Sequence, residues 1–270
     1  MGDPQRDFDP ALYWERRLQP FDLAAVGYEG LGLPYNRWLY RLRHAAFQRL
    51  VRGIRRDWGQ AQVLDIGSGT GFYVNEWRRL GASVTGSDLT RVAVENLSRA
   101  FPENRFAQFD VTKHPPFELA SFDAISAVDV LFHIVDDGLY EAACRNVASL
   151  LKVGGHFIFS ENFLHGETVR GANQVSRARA DVERAMTSAG LELVVRRPMF
   201  VLMNAPIDSA SPLLHAYWRK LTSGLSRFPG AGGVVGASLY PIERLLVWLC
   251  KESPSTEFAV YRRSARPLPT

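Results

Sequence analysis

Cysteine is nearly absent: Cys144 and Cys250 are the only two in 270 residues, too few for a thiolate metal cluster or a disulfide framework and in keeping with a reducing compartment. Lysine is scarce too. Of the 32 basic residues 28 are arginine, and against 28 acidic residues they leave a net charge of only +4. So small an excess gives no support to a nucleic-acid partner, and a GC-rich genome produces the same arginine bias. No apolar run approaches the roughly 20 residues that a membrane-spanning helix needs. The start, MGDPQRDFDP, lacks the basic head, apolar run and small-residue cleavage site of a secretory signal. The expectation is a cytoplasmic protein without integral membrane association. What the chain does have is 46% hydrophobic residues, enough for a substantial core in one large domain or two small ones at about 150 residues per domain.

From Asp9 to Trp58 the chain is rich in aromatics and arginines. Trp38, Leu42, Ala45, Ala46 and Arg49 recur at helical spacing, so Pro34 to Arg56 reads as an amphipathic helix preceded by a loop carrying Gly27, Gly30 and Gly32. Then the period changes. Gln62 to Ile66, Ser83 to Ser87, Arg105 to Phe109, Ala124 to Val128 and His156 to Ser160 read as strands, and Phe72 to Leu80, Arg91 to Ala100 and Asp137 to Leu151 as helices between them, with Gly81, Pro102 and Gly154-Gly155 as stops. This alternation predicts a mostly parallel sheet with helices on both faces. Arg177 to Ala189 reads as a helix closed by Gly190, Leu191 to Met203 as a strand interrupted by Pro198, and Glu257 to Arg263 as the last strand. The stretch between these two strands is too long for a structureless loop. Its two apolar segments, Ser211 to Leu225 and Leu239 to Cys250, flank the glycine-rich FPGAGGVVGAS and read as a helical insertion. The division expected is 1–58 as an N-terminal helical lid, 59–205 as the core, 206–254 as a helical cap, and 255–270 as the final core strand and tail.

The chemistry is concentrated in VLDIGSGTGF, where a strand runs into Asp65, Gly67, Gly69 and Gly71. A strand ending in glycines and feeding a helix brings backbone N–H groups against a ligand at the carboxyl edge of a sheet. A pyrophosphate site wants G-x-G-x-x-G; here the spacing is G-x-G-x-G. Asp65 would repel a pyrophosphate but suits a cationic amino group.

In these residues the chain resembles the class I methyltransferases that use S-adenosylmethionine, with their Rossmann-like fold. Asp88, 17 residues after Gly71, Asp110 in RFAQFDVT, FDAISAVDVLFHIVDD and LLKVGGHFIFSEN agree with that resemblance in order and interval. The resemblance implies S-adenosylmethionine as cofactor and S-adenosylhomocysteine as product. It implies cofactor contacts from Asp65, Gly67, Ser68, Gly69, Gly71 and Phe72, from Asp88 at the two ribose hydroxyls, from Asp110 near the adenine amino group with Val111 beside it, and from Leu89 and Ala127. Asp136 and Asp137 read as caps of the following helix, and no metal site is expected.

Methyl transfer from a sulfonium is a direct displacement that needs alignment, exclusion of water and removal of an acceptor proton. The candidate base is His133, after the fourth strand, with Asp129 placed to orient the imidazole or the acceptor, and His165 beyond the fifth strand as a further candidate. In the N-terminal segment, Arg37 is a candidate for the cofactor carboxylate, and Tyr28 or Tyr35 for closure over the sulfonium. The expected partner is a small-molecule acceptor, partly apolar or aromatic and methylated on O or N. Carbon methylation, or methylation of a lipid or quinone at a membrane surface, is the alternative, and a homodimer is the assembly to test.

Overall fold

A computed structural model describes residues 9–27 and 29–265. Helix α1 (Pro10–Arg17) starts on Asp9, whose carboxylate accepts the N–H groups of Ala11 and Leu12, with Pro10 in the first turn where no donor is needed. Helix α2 (Leu23–Val26) and a 3₁₀ turn (Glu29–Leu31) lead into α3 (Gly32–Ile54). Gly27 and Gly30 therefore sit among short helical turns rather than in the open loop expected.

The alternating region follows as β1 (Gln62–Ile66), α4 (Phe72–Arg78), β2 (Ser83–Asp88), α5 (Arg91–Ala100), β3 (Arg105–Gln108), β4 (Phe122–Ala127), α6 (Asp137–Leu150) and β5 (Leu151–Glu161). A short hairpin of β6 (Val169–Arg170) and β7 (Val175–Ser176) precedes α7 (Arg179–Ser188) and β8 (Leu191–Pro198). The rest is α8 (Pro212–Arg227), a 3₁₀ turn (Pro229–Ala231), α9 (Gly232–Leu249) and β9 (Glu257–Arg263).

Seven strands form one sheet in the order β3-β2-β1-β4-β5-β9-β8, with β1 parallel to β2 and β4, β2 to β3, and β4 to β5. This is the Rossmann-like class I methyltransferase fold, a mostly parallel sheet with helices. Strand order reverses between β1 and β4, and in such sheets the ligand crevice opens there, beyond the carboxyl ends of the strands. The sheet is clad in apolar side chains: Leu64, Ile125, Phe157 and Phe159 from the strands pack with Val147, Leu150 and Met186 from α6 and α7. Near-continuous apolar runs in β4 and β5 reflect strands covered on both faces. Gly154 and Gly155, expected as a stop, lie inside β5, where the register with β4 shifts between Phe122 and Ala124. The pair makes an irregularity in a longer strand.

The chain clusters into two compact units, one of 1–21, 57–195 and 259–270, the other of 22–56 and 196–258. In the second, α3 packs on α9. The glycine cluster FPGAGGVVGAS, expected to separate two helices, instead begins α9. A Cβ on Gly236 would lie 2.4 Å from Cδ1 of Trp38, and one on Gly232 3.1 Å from Cβ of Tyr35. These glycines allow two helices to approach closely, which composition alone does not distinguish from a linker. The strand expected to reach Met203 stops at Pro198, since proline cannot donate to the ladder. Beyond it the N–H groups of Val201, Leu202 and Met203 all donate to the buried carboxylate of Glu243 on α9.

Candidate active site

All the expected core site residues lie in the first unit, at the carboxyl ends of neighbouring strands. The turn after β1 is built by backbone geometry: Gly67, Gly69 and Gly71 have φ of 68°, 51° and 84°, a left-handed conformation that side chains resist. A Cβ on Gly67 would also meet Cγ2 of Val130 at 2.3 Å. Ser68 locks the turn, its N–H donating to the Ser87 carbonyl at 2.9 Å and its hydroxyl to the Asp65 carbonyl at 2.9 Å. Gly71 then caps α4, and Phe72 begins it, half-buried with its ring edge-on to Tyr73.

Asp65 is buried beneath this turn, opposite Ser126 in the parallel β1–β4 register. Trp77 Nε1–H donates to Ser126 Oγ at 2.9 Å, and that hydroxyl donates to Asp65 Oδ1 at 2.5 Å. Burial raises the carboxyl pKa to about 7, against the pull of the serine hydroxyls and with the help of nearby Asp88. A cation placed here would reverse that shift. Thr70 Oγ1, in the same turn, is buried without a hydrogen-bond partner. An acidic pocket and an orphaned hydroxyl in one glycine turn fit the amino-acid end of S-adenosylmethionine.

Asp88 ends β2. Its Oδ2 accepts Gly69 N–H at 2.9 Å, and its Oδ1 accepts the Thr90 N–H and hydroxyl at 2.9 and 2.8 Å. Of about four lone-pair directions on a carboxylate, the one left open is on Oδ2, so gripping both hydroxyls of the ribose that the resemblance implies would require Oδ1 to share its acceptors. Burial raises this carboxyl pKa as well. Leu89 is half-buried, and its carbonyl accepts from Gln108. Asp110 Oδ1 accepts the N–H and hydroxyl of Thr112 in a tight turn after β3. The side chains of Val111 and Ala127 are taken up by the hydrophobic core, the Val111 carbonyl accepts from Asn146, and Ala127 pairs with Phe159 in the β4–β5 ladder.

His133 closes the 3₁₀ turn Leu131–His133 after β4. Its Nδ1 lies 3.0 Å from the Asn173 carbonyl. A carbonyl only accepts, so Nδ1 carries the proton and Nε2 keeps the lone pair. Burial lowers the imidazole pKa, favouring the neutral form that can take up a proton. Trp14 of α1 and Phe132 flank the ring with centroids 5.1 and 4.5 Å away. Asp129 stands close enough to act on this imidazole through its charge. Its own carboxylate accepts from Ser160 Oγ at 2.7 Å, its N–H points to the same hydroxyl, and its φ is 59°. Ser160 at the end of β5 thus holds Asp129 in the left-handed region, a conformation that costs about 1 kcal/mol or more and recurs at functional sites. His165 is exposed in the turn after β5, while neighbouring Glu161 is wholly buried with its pKa raised to about 8.

Arg37 is exposed on α3 in the second unit; Tyr28 lies outside the described residues. Tyr35 is wholly buried there and its hydroxyl donates to the Met203 carbonyl at 3.2 Å, so its expected closure over a sulfonium is corrected: the ring is a packing element beneath Gly232. Asp136 caps α6 by accepting Leu139 N–H at 2.8 Å, and Asp137 pairs with Arg170 and Arg177. Among the described residues no cluster of His, Cys, Asp or Glu could hold a metal ion.

Sequence reasoning missed α1. Glu15 of α1 accepts Arg91 N–H at 2.9 Å at the start of α5, just beyond Asp88, while Trp14 meets His133. One helix therefore meets both the start of α5 and the 3₁₀ turn that carries His133. The pair Asp9-Pro10 was the available signal for its start; nothing in the sequence marks the carbonyl of Asn173.

A glycine turn over a buried acid at the β1–β4 reversal, followed by acids at the ends of β2 and β3, is the arrangement in which the first unit resembles the class I S-adenosylmethionine-dependent methyltransferases. Residues 64–159 match the family model described as a methyltransferase domain. Over 104 residues the chain is 36% identical to the ubiquinone biosynthesis O-methyltransferase of Albidiferax ferrireducens, an alignment covering 37% of this chain and 40% of that protein. The chain thus spans about two fifths of the length of these curated relatives. Among solved structures, the N-methyltransferase NodS of Bradyrhizobium japonicum, in complex with S-adenosylhomocysteine, superposes with a TM-score of 0.57 at 16% identity, covering 97% of this chain and 99% of that one. The [4+2]-cyclase SpnF superposes with a TM-score of 0.53 at 18% identity, covering 82% and 80%. Both are likenesses of fold.

Proposed function

We propose that the chain binds S-adenosylmethionine in the crevice between β1 and β4 and methylates an oxygen or nitrogen of a small, partly apolar or aromatic acceptor, with S-adenosylhomocysteine as product. The observation that carries this reading is Asp65, a buried carboxylate with lone pairs left over and, among the described residues, no cation acting on it, at the foot of the G-x-G-x-G turn. The O-methyltransferase relatives support oxygen as the acceptor atom. When bound, S-adenosylmethionine supplies an activated methyl on a sulfonium. Asp65 receives the ammonium group, Thr70 satisfies its hydroxyl on the same end, and Asp88 accepts from the ribose. His133 Nε2 takes the acceptor proton, held in register by the Nδ1–H bond to Asn173. Trp14 and Phe132 provide aromatic walls that keep water from the base.

A shared fold also serves the [4+2]-cyclase SpnF, so binding and turnover need separate tests. Calorimetry with S-adenosylhomocysteine is expected to show one site per chain, and radiolabelled methyl transfer to a panel of catechols, phenols and aromatic amines to show turnover. His133→Gln is expected to lower kcat about 10²-fold or more while leaving cofactor affinity within twofold. Absence of binding sinks the whole reading; binding with full activity in His133→Gln removes only the base.

A further inference from the structure

Helix α9 is inverted relative to a helix of an ordinary globular surface. Its most buried positions are Gly232, Gly236 and Glu243. Its outward residues include Val234 at 72% exposure, Ile242 at 51%, Leu245 at 54%, Trp248 at 60% and Leu249 at 58%. At 100° per residue these five fall within an arc of about 120°, the width of an apolar stripe that normally faces a core. Along the axis they extend roughly 22 Å. Scattered exposed apolar residues need no explanation, but a stripe interrupted by the polar side chain of Ser238 alone does.

Charge says what covers it. The unit that contains α9 carries 14 Lys and Arg against 6 Asp and Glu, a net +8, while the unit that contains the glycine turn carries 18 against 22, a net −4. One cationic side chain reaches the stripe itself, and others lie on the same helix or just past its end. Arg49 of α3 places its guanidinium carbon 5.8 Å from the Trp248 ring, Arg244 places its own 5.8 Å from Tyr240, and Lys251 follows the helix end, exposed. A tryptophan beside arginines on an apolar helix face has the chemistry of a lipid headgroup boundary, where the ring sits among the headgroups and the cations meet phosphates. No helix among the described residues is long and apolar enough to cross a membrane; the outward face of α9 is suited to lying on one.

We propose that the outward face of α9 docks the protein on the surface of an anionic lipid membrane, with Ile242, Leu245, Trp248 and Leu249 entering the headgroup boundary and Arg49, Arg244 and Lys251 meeting lipid phosphates. This assignment does not depend on which acceptor is methylated. The test is flotation of the full chain with vesicles of phosphatidylglycerol and phosphatidylcholine, beside phosphatidylcholine alone, at low and high salt. The chain is expected to float with the anionic vesicles and to be weakened by salt. The double variant Leu245→Asp, Trp248→Asp changes only exposed side chains, so its circular dichroism is expected to match the parent while vesicle binding falls at least tenfold. Arg49→Glu with Arg244→Glu is expected to reduce binding to anionic vesicles by about tenfold or more. Failure to float with any vesicle overturns the proposal, as does binding that survives Leu245→Asp, Trp248→Asp. Equal binding to neutral vesicles overturns the anionic assignment. A concentration-dependent dimer in sedimentation that the same double variant dissolves assigns the face to a second copy of the chain and overturns it too.

Discussion

Each of the two units buries a carboxylate, and they treat it in opposite ways. In the helical unit Glu243 is wholly inaccessible, and three backbone N–H groups, from Val201, Leu202 and Met203, converge on it at 2.6 to 3.2 Å. In the sheet unit Asp65 is nearly as buried, yet its side chain is met by hydroxyls alone. Burial raises both pKa values. The difference lies in lone pairs: those of Glu243 fasten the chain leaving β8 to α9, whereas Asp65 retains acceptors and an unfavourable charge that a bound cation would relieve. By this comparison Glu243 is architecture, and Asp65, left underfilled in a glycine turn, is the acid proposed to meet a ligand.

The sharpest way to break this comparison is at Glu243. Glu243→Ala strands three backbone donors at about 1 to 3 kcal/mol each before relaxation and water entry, so a loss of about 3 kcal/mol or more of stability is expected in denaturant unfolding. Glu243→Gln keeps one acceptor oxygen and should recover part of the loss. If Glu243→Ala unfolds at the parental denaturant midpoint, the carboxylate is not structural.

Asp65→Asn should do the reverse. Removing the charge is expected to weaken S-adenosylhomocysteine binding by about 1.5 to 3 kcal/mol, the scale of a charged hydrogen bond, with no loss of stability. The pH dependence gives the sign. With the folded pKa near 7 and the unfolded value in the ordinary carboxyl range, Asp65 holds its proton more tightly in the folded protein. Its contribution to stability is complete below the unfolded pKa and disappears as pH rises through about 7. Asp65→Asn should therefore gain stability relative to the parent above that pH. Binding of an ammonium group needs the carboxylate, so parental affinity should fall about tenfold for each pH unit below 7, and that slope should vanish in the variant. A parental affinity that is flat from pH 5 to 8 assigns Asp65 no cation.

Sequence periodicity located the sheet well because buried parallel strands and their helices announce themselves: β1, α5 and β9 have the limits expected for them. The glycine turn was legible for the same reason, since only glycine tolerates its three left-handed positions. What stayed hidden depends on contacts far apart in the chain. The Asn173 carbonyl meets His133 across 40 residues, and Ser160 meets Asp129 across 31. Gly232 and Gly236 have the composition of a linker and the role of a packing surface, and that role exists only once Tyr35 and Trp38 lie against them. Tyr35 failed as a site residue by the same logic: a large aromatic near a motif is more often buried than functional.

The smallest effect tests how α1 belongs to the sheet unit. Glu15 places its carboxylate on the N–H of Arg91, at the positive end of α5. Because that end is partly open to solvent, Glu15→Gln should cost only about 0.3 to 1 kcal/mol of stability. The same carboxylate stands close enough to Asp88 to raise its pKa, and Asp88 is the acceptor assigned to the ribose. Neutralising Glu15 lets Asp88 ionise more readily, so S-adenosylhomocysteine affinity should hold or rise slightly even as stability falls. A drop in affinity of tenfold or more would show instead that Glu15 itself touches the ligand, making α1 a wall of the site and not merely a strap tied to the start of α5.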